Sequence, residues 1–215
     1  MLDKKRLTDQ VYEYLKKLIT EFTLKPGEKI DIRKLSQKLS ISPTPIREAI
    51  HKLIEQGLVV SKPYTGYFVV CLTPEDVEEL FDLRKALEFL GLEYIFQNFE
   101  SEKVEELSSA LDELMKERDE KKLIQGVQEF DEKFHIEFLI EGSKNKWLIK
   151  LANGVIDLIK MTTRLTMNPH AACREHREIL DAMKNLDKSR AKELLDFHIE
   201  RAKKEAKELV RGQPC

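Results

Sequence analysis

Three histidines and an aspartate stand where helical periodicity calls for apolar residues. Asp131 and His135 lie four positions apart, so on a helix they share one face. Phe130, Phe134, Phe138 and Leu139 make that face a core face. His176 falls in a stripe with Ala172, Ile179, Leu180 and Met183, and His198 in one with Leu194, Leu195 and Ala202. A carboxylate on a core face is costly unless it is paired or bound to a cation. For any one of these histidines, a hydrogen-bonded core residue is the commoner outcome. Taken together, three neutral imidazoles and one carboxylate suit a divalent transition metal ion, Zn, Ni or Mn, with coordination positions left open. Cys173, one turn before His176, reads as small core filler rather than a further ligand.

These side chains need helices to hold them. Thr73 caps and Pro74 starts a long helix over about 75–99, and amphipathic patterns continue over 101–119, 121–140, 143–166, 170–184 and 187–210. No strand pattern interrupts them, so the expectation is an antiparallel all-α bundle of about six helices. A ruler tests whether two of the histidines meet. With the last two helices antiparallel about a turn near Leu186, His176 lies 10 residues before it and His198 12 after it. At about 1.5 Å per residue their levels differ by only about 3 Å.

The first third of the chain reads differently. Asp31 is an N-cap, and Ile32, Leu35 and Leu39 recur at helical spacing. After a tight turn, Thr44 caps a second helix with Pro45 at its first position. Ile46, Ala49, Ile50, Leu53 and Ile54 form its inward stripe, and Arg47, His51 and Lys52 its outward face. Gly57 stops it. Alternation from Leu58 and again from Tyr67 predicts a hairpin whose tip runs from Lys62 to Gly66. Two short helices and a hairpin are the layout of a winged helix-turn-helix, whose second helix enters the DNA major groove. A helical hairpin with a solvated charged face is the plainer alternative.

Charge agrees with the division. Residues 1–70 hold 13 Lys and Arg against 8 Asp and Glu, and the remainder 24 against 31. A basic module joined to an acidic body suits a nucleic-acid binder with a separate regulatory domain. The expected domains are 1–72, a winged helix-turn-helix, and 73–215, an all-helical metal- and effector-binding domain. Three scattered cysteines, no apolar run of membrane-spanning length and a charged N-terminus point to the cytoplasm, without a disulfide framework.

The run from Leu24-Lys25-Pro26-Gly27 through Thr44-Pro45-Ile46-Arg47-Glu48-Ala49-Ile50 and Gly57-Leu58-Val59 to Gly66-Tyr67-Phe68-Val69 resembles the DNA-binding domain of the GntR family of bacterial transcription regulators. The resemblance implies DNA contacts from Arg33, Arg47 and the wing at Gly66. Pro43 stands where members usually carry Arg, so groove contacts lean on Arg33 and Arg47, with Thr44, His51, Lys52 and Lys62 in support.

The second part resembles the FCD effector domain of the FadR-like branch, through Asp131-x3-His135, Asn145, Glu175-His176, Ile179, Ala182, Asp187, Ala191 and His198. In metal-binding members the corresponding Asp and three His ligate the ion, which implies Asp131, His135, His176 and His198. An Arg followed four residues later by Glu is also part of that pattern, matched by Arg84 and Glu88. The resemblance implies a small carboxylate beside the metal, taken by Arg84; Arg164 is a second candidate by its position.

The resulting expectation is a cytoplasmic regulator, not an enzyme. It binds double-stranded operator DNA as a homodimer and senses a small carboxylate through a bound metal. Two alternatives stand beside it: a metal-dependent hydrolytic enzyme built on the bundle, and a regulator whose metal is purely structural.

Overall fold

The structure is a computed structural model that describes residues 4–164 and 168–212. Its contacts divide the chain into two compact units, one reaching Leu72 and the other spanning Thr73–Gly212.

In the first unit, α1 (Lys4–Thr20) buries Val11, Leu15 and Ile19, spaced one turn apart, against α3 (Pro43–Glu55) with its Ile46, Ala49, Ile50 and Leu53. Between them lies α2 (Ile32–Leu39), whose cap Asp31 accepts from the Arg33 and Lys34 amides. The start of α3 differs from expectation. Ser42 is the cap residue and Pro43, not Pro45, takes the first helical position. Both prolines fall within the first turn, where backbone amides have no intrahelical acceptor, so neither costs the helix a bond. The wing is β1 (Val59–Lys62) paired antiparallel with β2 (Gly66–Val69), in register Val59↔Val69 to Lys62↔Gly66. Tyr64 and Gly66 have positive φ and turn the chain at its tip.

In the second unit a reciprocal capping box between Thr73 and Asp76 opens α4 (Pro74–Gln97). Then come α5 (Ser101–Leu114) and α6 (Glu120–Asp131), which runs into a π-helical segment, Glu132–Ile140. The expected single helix over 121–140 is therefore two geometries in series. The expected helix over 143–166 is also two, α7 (Lys146–Ala152) and α8 (Ile156–Thr163), and its last predicted residues lie outside those described. Asn153-Gly154 ends α7, with the Gly154 amide returning to the Leu151 carbonyl, and Asn145 caps its start. Last come α9 (Pro169–Lys184) and α10 (Lys188–Arg211), joined by a turn in which Leu186 takes positive φ. With seven α-helices and the π segment among the described residues, the bundle is more finely divided than the six expected. The overall class is mainly helical with a two-stranded wing.

One approach between elements is unusually close. A Cβ built on Gly91 of α4 would lie 2.2 Å from the Leu139 carbonyl oxygen in the π segment. Only glycine lets the two backbones come so near. No helix among the described residues is long and apolar enough to cross a membrane. Cys71 is disulfide-bonded, and Cys173 is the buried free thiol among the described residues.

Candidate metal centre and nucleic-acid interface

His135 on the π segment, His176 on α9 and His198 on α10 converge in the bundle, each at most 2 % exposed. One ring nitrogen from each lies within 4.8 Å of the other two. The His176 and His198 rings are 4.4 Å apart at their centroids, as the residue count about the α9–α10 turn required. His135 Nε2 and His176 Nε2 face each other at 3.0 Å. Asp131, the last residue of α6, brings Oδ1 to 3.5 Å from His176 Nε2, yet this buried oxygen has no hydrogen-bond partner. The Phe130 and Phe134 rings pack edge-on against His176 and close the apolar side.

A further layer holds the imidazoles. His135 Nδ1 meets Glu88 Oε2 at 2.7 Å, and Arg84 Nε donates to Glu88 Oε1 at 2.5 Å from one turn earlier on α4. His198 Nδ1 meets Glu175 Oε2 at 2.7 Å, and Arg201 Nε donates to Glu175 Oε1 at 2.5 Å. His176 Nδ1 is buried without a partner. Glu175 and Arg201 carried no role in the sequence reading beyond Glu175's place in the FCD pattern. They break no apolar stripe, and only the α9–α10 packing brings them together. Their spacing to His176 and His198, one and three residues, was the available signal.

The electrostatics follow from burial. It pushes all three imidazoles well below the ordinary histidine range, so they are neutral and offer lone pairs. It pushes the Asp131 carboxyl up to about 7, against the opposing pull of Arg84. Glu88 is also raised by burial, with Arg84 again opposing. Neutral imidazoles that converge beside an unpartnered carboxylate oxygen form a donor set suited to a divalent ion. Zinc–nitrogen bonds of about 2.0–2.1 Å place tetrahedral donors about 3.4 Å apart, a spacing within the range these nitrogens span.

Beside the cluster is a cleft lined by Arg84, Asp131, His135, Lys160, Thr163 and Arg164 among others. Arg84 Nη2 is buried there with no hydrogen-bond partner. Lys160 is engaged by Glu132. Both arginines singled out from the sequence, Arg84 and Arg164, therefore reach the same cleft.

In the first unit, Arg33, Thr44, Arg47, His51 and Lys62 are all exposed, and Gly66 is half-buried at the wing. His51 packs edge-on against Tyr67 of β2, and Lys62 lies over the Phe68 ring. Lys52 differs from its neighbours on α3. Its ammonium binds Asp9 of α1 at 2.5 Å, because the α1–α3 packing brings that carboxylate within reach.

Residues 7–69 match the family model described as bacterial regulatory proteins, gntR family, and residues 79–201 match that of the FCD domain. The HTH-type transcriptional regulator YdhC of Bacillus subtilis is 33 % identical over 198 residues, covering 88 % of this chain and 86 % of that protein. A solved GntR regulator from Rhodococcus sp. RHA1 superposes with a TM-score of 0.76 at 24 % identity, over 96 % of this chain and 99 % of its own. The zinc-bound FCD domain of TM0439 superposes at 0.56 with 23 % identity, over 64 % of this chain and 95 % of its own.

Proposed function

Because the chain belongs to the GntR family of bacterial regulatory proteins and carries an FCD domain, we propose that it is a metal-containing, ligand-responsive regulator that binds operator DNA as a dimer. It is a transcription regulator by family, and the family and its relatives are regulators rather than enzymes, which removes the hydrolase alternative.

The observation that carries the metal reading is the convergence of His135, His176 and His198 beside the orphaned oxygen of Asp131. A solved neighbour in the FCD family is described as zinc-bound, which supports the same assignment here. His135, His176, His198 and Asp131 would hold the ion. When bound, it would supply a Lewis-acidic point for an effector oxygen. The unpartnered Arg84 Nη2 and Arg164 suit the carboxylate of that effector. Arg33, Thr44 and Arg47, with His51 and the wing residues Lys62 and Gly66, form the proposed operator-contacting set. Lys52 contributes less, being neutralised by Asp9.

An effector shifts operator binding only if it favours one arrangement of the protein over another. The α4 helix begins at the unit boundary and carries both Arg84 and Glu88, so it is the element proposed to couple the cleft to the recognition helices of a dimer.

Metal analysis of the purified full chain, followed by a thermal-shift screen of small carboxylates, tests this. The expected result is one bound ion per chain and a carboxylate-dependent rise in Tm that His135→Ala abolishes. Protein that takes up no divalent ion under any condition would sink the proposal. The complete burial of all three imidazoles also favours a purely structural ion. Unfolding on chelation would select that reading, whereas folded protein that has lost carboxylate binding selects sensing.

A further inference from the structure

The three imidazoles are not held alike. His135 leans on Glu88, which is clamped by Arg84, and Arg84 lines the cleft. His176 has no partner for its Nδ1. His198 leans on Glu175, clamped by Arg201, and neither of these two residues lines the cleft.

Both oxygens of Glu175 are committed, Oε2 to His198 Nδ1 at 2.7 Å and Oε1 to Arg201 Nε at 2.5 Å. Arg201 is fixed in turn, its Nη1 donating to Glu205 Oε1 at 2.6 Å. A carboxylate that accepts from a guanidinium on its far oxygen offers only an acceptor on the near one. The proton in the 2.7 Å contact therefore belongs to the imidazole. With Nδ1 protonated, the lone pair of neutral His198 sits on Nε2. Carboxylate–histidine pairs of this kind orient metal-binding imidazoles and make them better donors.

We infer that Glu175, held by Arg201, is a positioning residue of the ion site that fixes the tautomer and aim of His198. The inference rests on the metal reading above. It separates two jobs. Glu88 serves a histidine and the arginine of the cleft at once, while Glu175 serves the ion site alone.

The test uses the full-length chain in two measurements. In ion-free protein, nitrogen-15 NMR of the histidine rings is expected to show His198 as the Nδ1–H tautomer. Finding Nε2–H instead overturns the inference without any metal being present. Zn2+ affinity, measured by competition with a chromophoric chelator, is expected to fall about 10–100-fold in Glu175→Leu. In Glu175→Gln, whose amide oxygen still accepts from Nδ1–H, the fall is expected to be about threefold to tenfold. The Co2+ visible spectrum should change in Glu175→Leu and much less in Glu175→Gln. A plain α9–α10 salt bridge would lower the Tm of the ion-free protein in both variants and leave Zn2+ affinity and the Co2+ spectrum unchanged, which overturns the inference. Should Glu175→Leu fail to fold, unchanged Zn2+ affinity in Glu175→Gln overturns it alone. Failure of the wild-type chain to bind either ion refutes the underlying metal reading and is distinguishable, because the tautomer measurement stands independently.

Discussion

The two units place their polar chemistry on opposite sides of their own surfaces. In the winged-helix unit, the buried side chains among the described residues are apolar except for Thr8 and Thr20, and Arg33, Arg47 and Lys62, the charged residues proposed to meet DNA most directly, are exposed. The helical unit buries Arg84, Glu88, His135, His176 and His198 in its interior. The first is a stable core that carries a function. In the second, on the proposed reading, the core itself holds the site, and it includes polar atoms with no partner. Burial of such atoms costs free energy that a purely apolar interior would not. Stability and function should therefore be separable in one unit and opposed in the other.

The largest expected effect tests the first half of that contrast. Leu53→Ala removes a fully buried side chain from the winged-helix unit and should cost about 2–5 kcal/mol in denaturant unfolding. Zn2+ affinity of the variant that remains folded should not change.

Acid tests the ion site. Asp131, with its carboxyl pushed up to about 7, must lose a proton to serve the ion. The imidazoles, held well below the histidine range, carry no proton to displace near neutrality. Zn2+ affinity should level off about one unit above pH 7, begin to fall near pH 7 and approach a loss of about tenfold per pH unit from about one unit below it, which is about 1.4 kcal/mol per unit. Calorimetric titration across pH 5.5–8 reads the slope, and Asp131→Asn should flatten it.

On the exposed side, Arg47→Ala should weaken operator binding by about 1–3 kcal/mol at fixed salt without moving Tm by more than a degree or two. Fluorescence anisotropy with the cognate half-site gives the first number. An unchanged affinity would remove Arg47 from the interface.

The smallest effect is the most diagnostic. His176→Leu deletes a buried Nδ1 that lacks a partner, together with the Nε2 that faces His135 Nε2 at 3.0 Å. In ion-free protein the relief of one and the loss of the other should nearly offset, within about 1 kcal/mol, while ion binding is lost. A substantial destabilisation of ion-free protein would show that the interior is not opposed to its function, and the contrast between the units would fail.

What could be read from the sequence divides along the same line. The helix-turn-helix and wing are local, so caps, prolines and alternation within forty residues described them, apart from a two-residue error at Ser42-Pro43. The meeting of His176 and His198 was legible because an antiparallel pair about a known turn obeys simple geometry. The π segment was not. A change in backbone hydrogen bonding over Glu132–Ile140 leaves the same run of buried residues that an α-helix would. Nor were the Glu175–Arg201 clamp and the Lys52–Asp9 pair legible, since each depends on which helices pack together. Asn153-Gly154, read through as helix, ends α7 because glycine adds no helical preference to resist the stop.

The close approach of Gly91 to the Leu139 carbonyl has a consequence beyond packing. Gly91 lies three residues after Glu88, and Leu139 four after His135, so the contact works as a caliper set one turn away from the Glu88–His135 hydrogen bond. A methyl group at Gly91 would have to open the jaws by about 1 Å, enough to stretch a 2.7 Å hydrogen bond past its useful range. A residue that touches neither ion nor effector thereby gauges how firmly His135 is held. Variation at position 91 would retune the proposed ion site while leaving each of its candidate ligands in place.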